Sequence, residues 1–155
     1  MSDPDKTGCS VLATVAAMEI LFIAGFGPIS PDPAASRRFY AGALGISFEA
    51  DGDYLHTGDL DGSRHFAVWP LEQAAESCFD TKEWPADVPV PQAWVEFDVA
   101  DVAAAAAELE AGGHRLVHGA KTMPWGQTLA RLLSPEGLLI GIAHTPWMRG
   151  PASAD

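Results

Sequence analysis

The sequence predicts a single α+β domain built from two tandem β-α-β-β-β modules, and three observations carry that expectation. A strand, a capped helix and three further strands occur twice, roughly 70 residues apart, and a repeat of that size constrains a fold more than any single propensity does. Each module has one helix for four strands, joined by turns too short for parallel crossovers, which excludes a doubly wound sheet. The 155 residues, 48% of them apolar, suffice for one domain with its own core. The expected domain covers 18–148, with modules at about 19–80 and 92–147 and a short tail at 149–155.

The first strand is expected over Glu19 to Gly27, ending at a Pro28-Ile29-Ser30-Pro31 turn. A helix start follows. Asp32 caps, Pro33 takes the first helical position where its missing N–H costs nothing, and Ala34 to Leu44 runs to a Gly45 stop. Strands are expected at Ile46–Ala50, Tyr54–Thr57 and Ser63–Trp69, separated by Asp/Gly turns. Leu71–Phe79 is compatible with a short helix. Trp84–Pro91 holds three prolines, each lacking a ladder donor, and reads as an extended linker.

The order then repeats. Gln92–Val99 alternates Trp94, Glu96 and Asp98 against Val95, Phe97 and Val99, and is expected to be a strand with one buried face. Asp101 caps an alanine-rich helix over Val102–Ala111, which Gly112-Gly113 terminates. Strands at His114–Gly119, Gln127–Leu133 and Leu138–His144 complete the module, the last two joined by a Ser134-Pro135-Glu136-Gly137 turn.

Nine basic against twenty-one acidic residues give a formal charge of −12, a field that repels phosphate backbones, and no Lys/Arg cluster interrupts it. Nucleic acid is therefore not an expected partner. No apolar run is long and charge-free enough to span a bilayer. Cys9 and Cys78 form no CxxC pair, which fits a reduced, cytoplasmic setting. Val11–Ala17 faintly imitates a signal peptide, but Asp3, Asp5 and Glu19 flank it; a dispensable leader over residues 1–17, with Met18 as an alternative start, fits better.

Several local motifs, in this order and spacing, resemble those of the vicinal oxygen chelate superfamily, which includes glyoxalase I, bleomycin-resistance proteins and extradiol dioxygenases. They are Asp32-Pro33-Ala34-Ala35-Ser36-Arg37-Arg38-Phe39-Tyr40 with Leu44-Gly45, Val99-Ala100-Asp101-Val102 before a helix ending Ala111-Gly112-Gly113, Pro124-Trp125-Gly126, and Ser134-Pro135-Glu136-Gly137. The resemblance implies that each module curls into a half-barrel, that the mixed-sheet pair encloses one pocket, and that chains pair as homodimers. Metal-dependent members ligate through the first and last strands of each module. Carried over, those places fall on Gly25, Trp94, Gly141 and the vicinity of Phe66, where His65 is the only ligand type. Gly and Trp cannot chelate, so the expectation is no metal and no cofactor.

The resemblance thus implies a small-molecule ligand, planar or cationic, and a binding role such as drug or natural-product sequestration, with a lyase, isomerase or dioxygenase as the alternative. Aromatic walls suit planar ligands and cations, so Trp125, Trp94, Trp69 and Phe66 are candidate ligand-binding residues. Glu96 and Asp98 join them if Trp94 faces the cavity, because period two puts all three on one side. For catalysis the candidates are Glu96, as a desolvated base, and His65. His114 and His118 lie about 13 Å apart along a strand, too far to chelate together. Trp84 and Trp147, at the edges of the domain, suit a dimer contact or a lid. No GxSxG, HExxH or Gly-rich phosphate loop is present.

Overall fold

The computed structural model describes residues 18–149. The leader expected over 1–17 and nearly all of the tail lie outside the described residues. Eight strands form one mixed sheet: β1 (Phe22–Ser30), β2 (Glu49–Asp51), β3 (Tyr54–Thr57), β4 (Phe66–Pro70), β5 (Ala93–Asp98), β6 (Leu116–Thr122), β7 (Thr128–Leu133) and β8 (Leu139–His144). Their order is β2-β3-β4-β1-β5-β8-β7-β6, an open sheet rather than a closed barrel. The two halves follow the same order, and the first strand of each pairs antiparallel with the other at the centre. Within a half the hairpin neighbours are antiparallel, whereas β1 with β4 and β5 with β8 are parallel. This mixed pattern is what one helix per four strands allows.

Among the described residues three α-helices accompany the sheet, with a π-helical segment at Arg38–Ala43 and a short 3-10 turn at Pro146–Met148. In α1 (Pro33–Arg37) Asp32 accepts from Ala35 N–H at 3.2 Å, the expected cap. The single helix expected to run to Leu44 instead widens into a π-helical segment over Arg38–Ala43, where Leu44 N–H reaches back five residues to Phe39 O. No residue of this whole stretch is buried. By contrast α3 (Val102–Ala111), capped by Asp101, buries Val102, Ala105 and Ala106 against Ala130, Leu132 and Ile142 on the outer face of the sheet. The helix α2 (Leu71–Phe79) joins the other core, where Ala74 and Cys78 pack with Ile29, Ala67, Trp69, Trp94 and Leu139.

Most strand ends shift by one to three residues from expectation, with β1 starting at Phe22, β2 at Glu49, β4 at Phe66 and β6 at Leu116, and two of the extensions have a visible cause. The first strand continues through Pro28 to Ser30 instead of turning there, because Ile29 N–H donates to Gln92 O at 2.9 Å and Ile29 pairs with Trp69. The last module's third-from-last strand runs to Thr122, held by Thr122–Thr128 pairing. The proline-rich linker has neither helix nor strand, and Trp84 ties it down by donating to Val88 O and Pro89 O while its ring packs edge-on against Phe79.

Strand β1 passes so close to β4 that a Cβ on Gly27 would sit 1.8 Å from Ala67 O. Backbone cannot yield there as a side chain could. Gly27→Ala is expected to destabilise the fold by more than about 3 kcal/mol, read from urea unfolding midpoints; a change under about 1 kcal/mol would show that the two strands separate easily.

Candidate functional site

The concave side of the sheet holds a cavity of about 530 Å³, open to solvent on one side. Four tryptophans line it: Trp69, Trp94, Trp125 and Trp147. Trp94 is buried, and its indole N–H donates to Ala67 O at 3.3 Å, which fixes the ring as part of the floor. Trp69 stands edge-on to it at 5.9 Å. Trp125 and Trp147 are 50% and 58% exposed and stand at the mouth. The first module contributes a different wall, in which Tyr54, His56 and His65 stack at ring separations of 5.3–6.3 Å.

The polar floor comes from one row across four strands. Gly25 on β1 pairs with Glu96 on β5, Glu96 with Gly141 on β8, and Gly141 with Arg131 on β7. Residues in register share a face, so all four positions look into the cavity. Glycine at 141 lets the flanking side chains approach: a Cβ there would lie 2.7 Å from Glu96 Cγ. Glycine at 25 likewise leaves room for the Trp94 ring, which a Cβ would meet at 3.0 Å, and for His65 at 3.3 Å.

Arg131 is only 1% exposed, with Nη1 donating to Ser77 Oγ at 2.8 Å and lying 3.2 Å from His118 Nε2. Its guanidinium also sits 5.2 Å from the Trp69 ring centre, a cation–π arrangement. Nη2 makes no hydrogen bond among the described residues and stands 4.0 Å from Glu96 Oε2. Glu96, 14% exposed, accepts from Gln127 Nε2 at 3.0 Å. Burial pushes the Glu96 carboxyl above the usual carboxylate range, against the opposing pull of Arg131 and the Gln127 bond, with the charge of Asp98 adding to the rise. Burial also raises the Tyr54 hydroxyl, helped by the charges of Glu96 and Asp51, and lowers His65, helped by His56. Tyr54 Oη and His65 Nε2 share a hydrogen bond of 2.8 Å.

The structure brings together Trp125, Trp94, Trp69, Glu96 and His65 in this cavity. Phe66 does not join them. It lies on the outer face beside Phe26, Tyr40 and Phe48, because strand alternation gives it the parity opposite to Ala67 and Trp69. Asp98 shares the face of Trp94 and Glu96 but does not line the cavity: it is 0% exposed, capped by Thr145 and Arg149. Sequence reasoning missed Arg131, Gln127, Thr145 and Tyr54. For Arg131 a signal existed, a lone charge at the centre of the apolar strand Leu129-Ala130-Arg131-Leu132-Leu133.

A protein-family model for the Glyoxalase/Bleomycin resistance protein/Dioxygenase superfamily matches residues 26–142. The chain belongs to that superfamily. Solved structures agree on the fold. A superfamily member from Vibrio splendidus 12B01 is 15% identical, with a TM-score of 0.51 over 83% of this chain and 100% of the other. A variant of methylmalonyl-CoA epimerase from Streptomyces coelicolor, in complex with 2-nitronate-propionyl-CoA, is 21% identical, with a TM-score of 0.51 over 81% of this chain and 97% of the other. No curated protein matches. Among the described residues of this superfamily member, no group of three or more His, Cys, Asp or Glu is placed to hold a metal ion, and no helix is long and apolar enough to cross a membrane.

The raised Glu96 carboxyl makes a signed prediction. A carboxyl that holds its proton more tightly folded than unfolded contributes stability below the unfolded pKa of about 4.3, and loses it as pH rises through the native value. Glu96→Gln is neutral throughout and lacks this dependence. The stability of wild type relative to Glu96→Gln is expected to fall as pH rises from 4 to 8, measured by urea midpoints; a relative gain would mean that Arg131 outweighs burial. Separately, Gly141→Ala is expected to cost about 1–3 kcal/mol by overpacking against Glu96.

Proposed function

We propose that this protein is a metal-independent binder of small planar or cationic molecules, acting in the cytoplasm as a homodimer and protecting by sequestration of a drug or natural product. The observation that carries this reading is the cavity of about 530 Å³ walled by four tryptophans, within the size and apolar character of small-molecule sites. Flat indoles supply stacking area, and an acidic chain of formal charge −12 draws cations toward it. Micromolar affinity or better is within reach for a drug-sized aromatic buried there.

Metal independence is supported by the donor chemistry at the places where the superfamily's metal-dependent members ligate. Gly25 and Gly141 offer no donor, and the space above them is taken by Trp94 and by Glu96. Trp94 has spent its only N–H on Ala67 O. His65 and Glu96 remain, and two donors, one of them already bonded to Tyr54, do not make a first coordination sphere for Zn, Ni, Mn or Fe. The residues present do not fit the metal.

A second reading is proton-transfer catalysis without a metal, as a lyase or isomerase. It is favoured by Glu96, a carboxyl of raised proton affinity beside the cavity, together with the Tyr54–His65 pair on the opposite wall.

Titration with a panel of planar cations and heteroaromatic natural products is expected to give saturable tryptophan quenching. Trp125→Ala should weaken binding roughly tenfold, the loss of one aromatic contact worth about 1–1.5 kcal/mol. Protein purified without chelators should carry far less than one equivalent of metal. Stoichiometric Zn, Ni, Mn or Fe that disappears in His65→Ala, or a panel with no saturable quenching, would overturn the binding reading.

A further inference from the structure

The last described segment, Thr145–Arg149, lies over the cavity edge and carries Trp147 and Met148 into its lining. A segment that leaves the last strand frays unless something ties it down. Here the tie is the fully buried Asp98. Its Oδ2 accepts from Thr145 N–H at 3.0 Å and from Arg149 Nε at 3.1 Å, and its Oδ1 accepts from Thr145 Oγ1 at 2.7 Å. Arg149 Nη2 also donates to Val99 O at 2.6 Å. A buried carboxylate is costly unless bonded on every side, and these partners all belong to the terminal segment.

The same network reaches the other exposed tryptophan. Gln127, itself buried, donates to Thr145 Oγ1 at 2.8 Å and to Glu96 Oε1 at 3.0 Å, and its Oε1 accepts from Trp125 Nε1 at 2.9 Å. One chain of bonds, Trp125–Gln127–Thr145–Asp98–Arg149, therefore fastens both half-exposed indoles of the mouth to β5. Exposed indoles lining one opening are apolar area that a bound molecule can cover.

We propose that Asp98, acting through Thr145 and Arg149, and Gln127 are positioning residues that hold Trp147 and Trp125 as an aromatic clamp, so that they set how long the cavity retains its ligand. The proposal rests on the small-molecule reading of the cavity. It assigns Asp98 a function in ligand retention although Asp98 touches no ligand. Molecules long enough to reach from the Trp94 floor to the mouth feel the clamp, whereas fragments that fill only the floor do not.

The test uses Asp98→Asn, which keeps the shape and loses the charge, Trp147→Ala, and their combination, with Arg149→Gln as a second way to loosen the strap should Asp98→Asn fold poorly. An acridinium dye serves as the long planar probe and indole as the short one. Each single change is expected to speed dye dissociation about tenfold with little change in association, to weaken indole binding far less than dye binding, and to add nothing in the double variant. Effects that multiply in the double variant, or equal losses for dye and indole, would overturn the proposal in favour of a purely structural Asp98. Hydrogen exchange of residues 145–149 in the ligand-free protein reads the strap independently: Asp98→Asn should speed it while the central strands stay protected, and no change there sinks the proposal. Dye that fails to bind the wild type refutes the small-molecule reading instead, and leaves the exchange result to judge the strap.

Discussion

Two opposite charges face one another across a glycine, and the site is arranged around that constraint. Glu96 and Arg131 sit on strands separated by β8, so about 10 Å of sheet lies between their backbones. Their side chains meet only because Gly141, in register with both, puts nothing between them. The pair is imperfect: at 4.0 Å it is too long for a hydrogen bond, and Arg131 draws its remaining support from Ser77, His118 and the face of Trp69. A buried arginine so held cannot be removed cheaply, and a carboxyl so weakly compensated keeps a high affinity for its proton. The cavity thus sets a fixed polar row beside aromatic surfaces, with the Trp94 ring on its floor.

A repeated strand order supplies the frame, and differences between the two halves supply the chemistry. Both modules present the same strand order and share the central antiparallel seam between β1 and β5. Yet the first half lines the cavity with a phenol, two imidazoles and the Trp69 indole, and the second with three indoles, the Gln127 amide and the charge pair. The helices diverge as well. The alanine-rich α3 packs closely on its sheet, whereas the first module's helix buries nothing and leaves Phe39 and Leu44 exposed. Small side chains permit the close approach of α3, whereas the first helix meets the sheet through Tyr40, edge-on to Phe66 at 6.0 Å.

Glu96 and Asp98 show how identical chemistry on one strand face diverges by surroundings. Two residues apart, with side chains pointing the same way, one looks into the cavity and the other is sealed beneath the terminal segment. The difference is what covers them: Asp98 has Thr145 and Arg149 above it, Glu96 has open volume. Position on the strand therefore defined the face, but not the role.

By itself the sequence determined the repeat, both helix caps and the alternation that puts Trp94, Glu96 and Asp98 on one side, because these follow from backbone sterics and side-chain parity within a few residues. The ligand places at Gly25, Trp94 and Gly141 came instead from the family resemblance, carried over motif by motif. What only the tertiary structure decided was which residues meet across strands. Arg131 is 35 positions from Glu96 in the chain and its pairing depends on the register of three strands, which no local pattern encodes. Phe66 fell to the outer face for the same reason, since its parity relative to the cavity is set only once β4 docks beside β1. Long-range register, and the glycine that one register places between two charges, lies beyond any window of sequence.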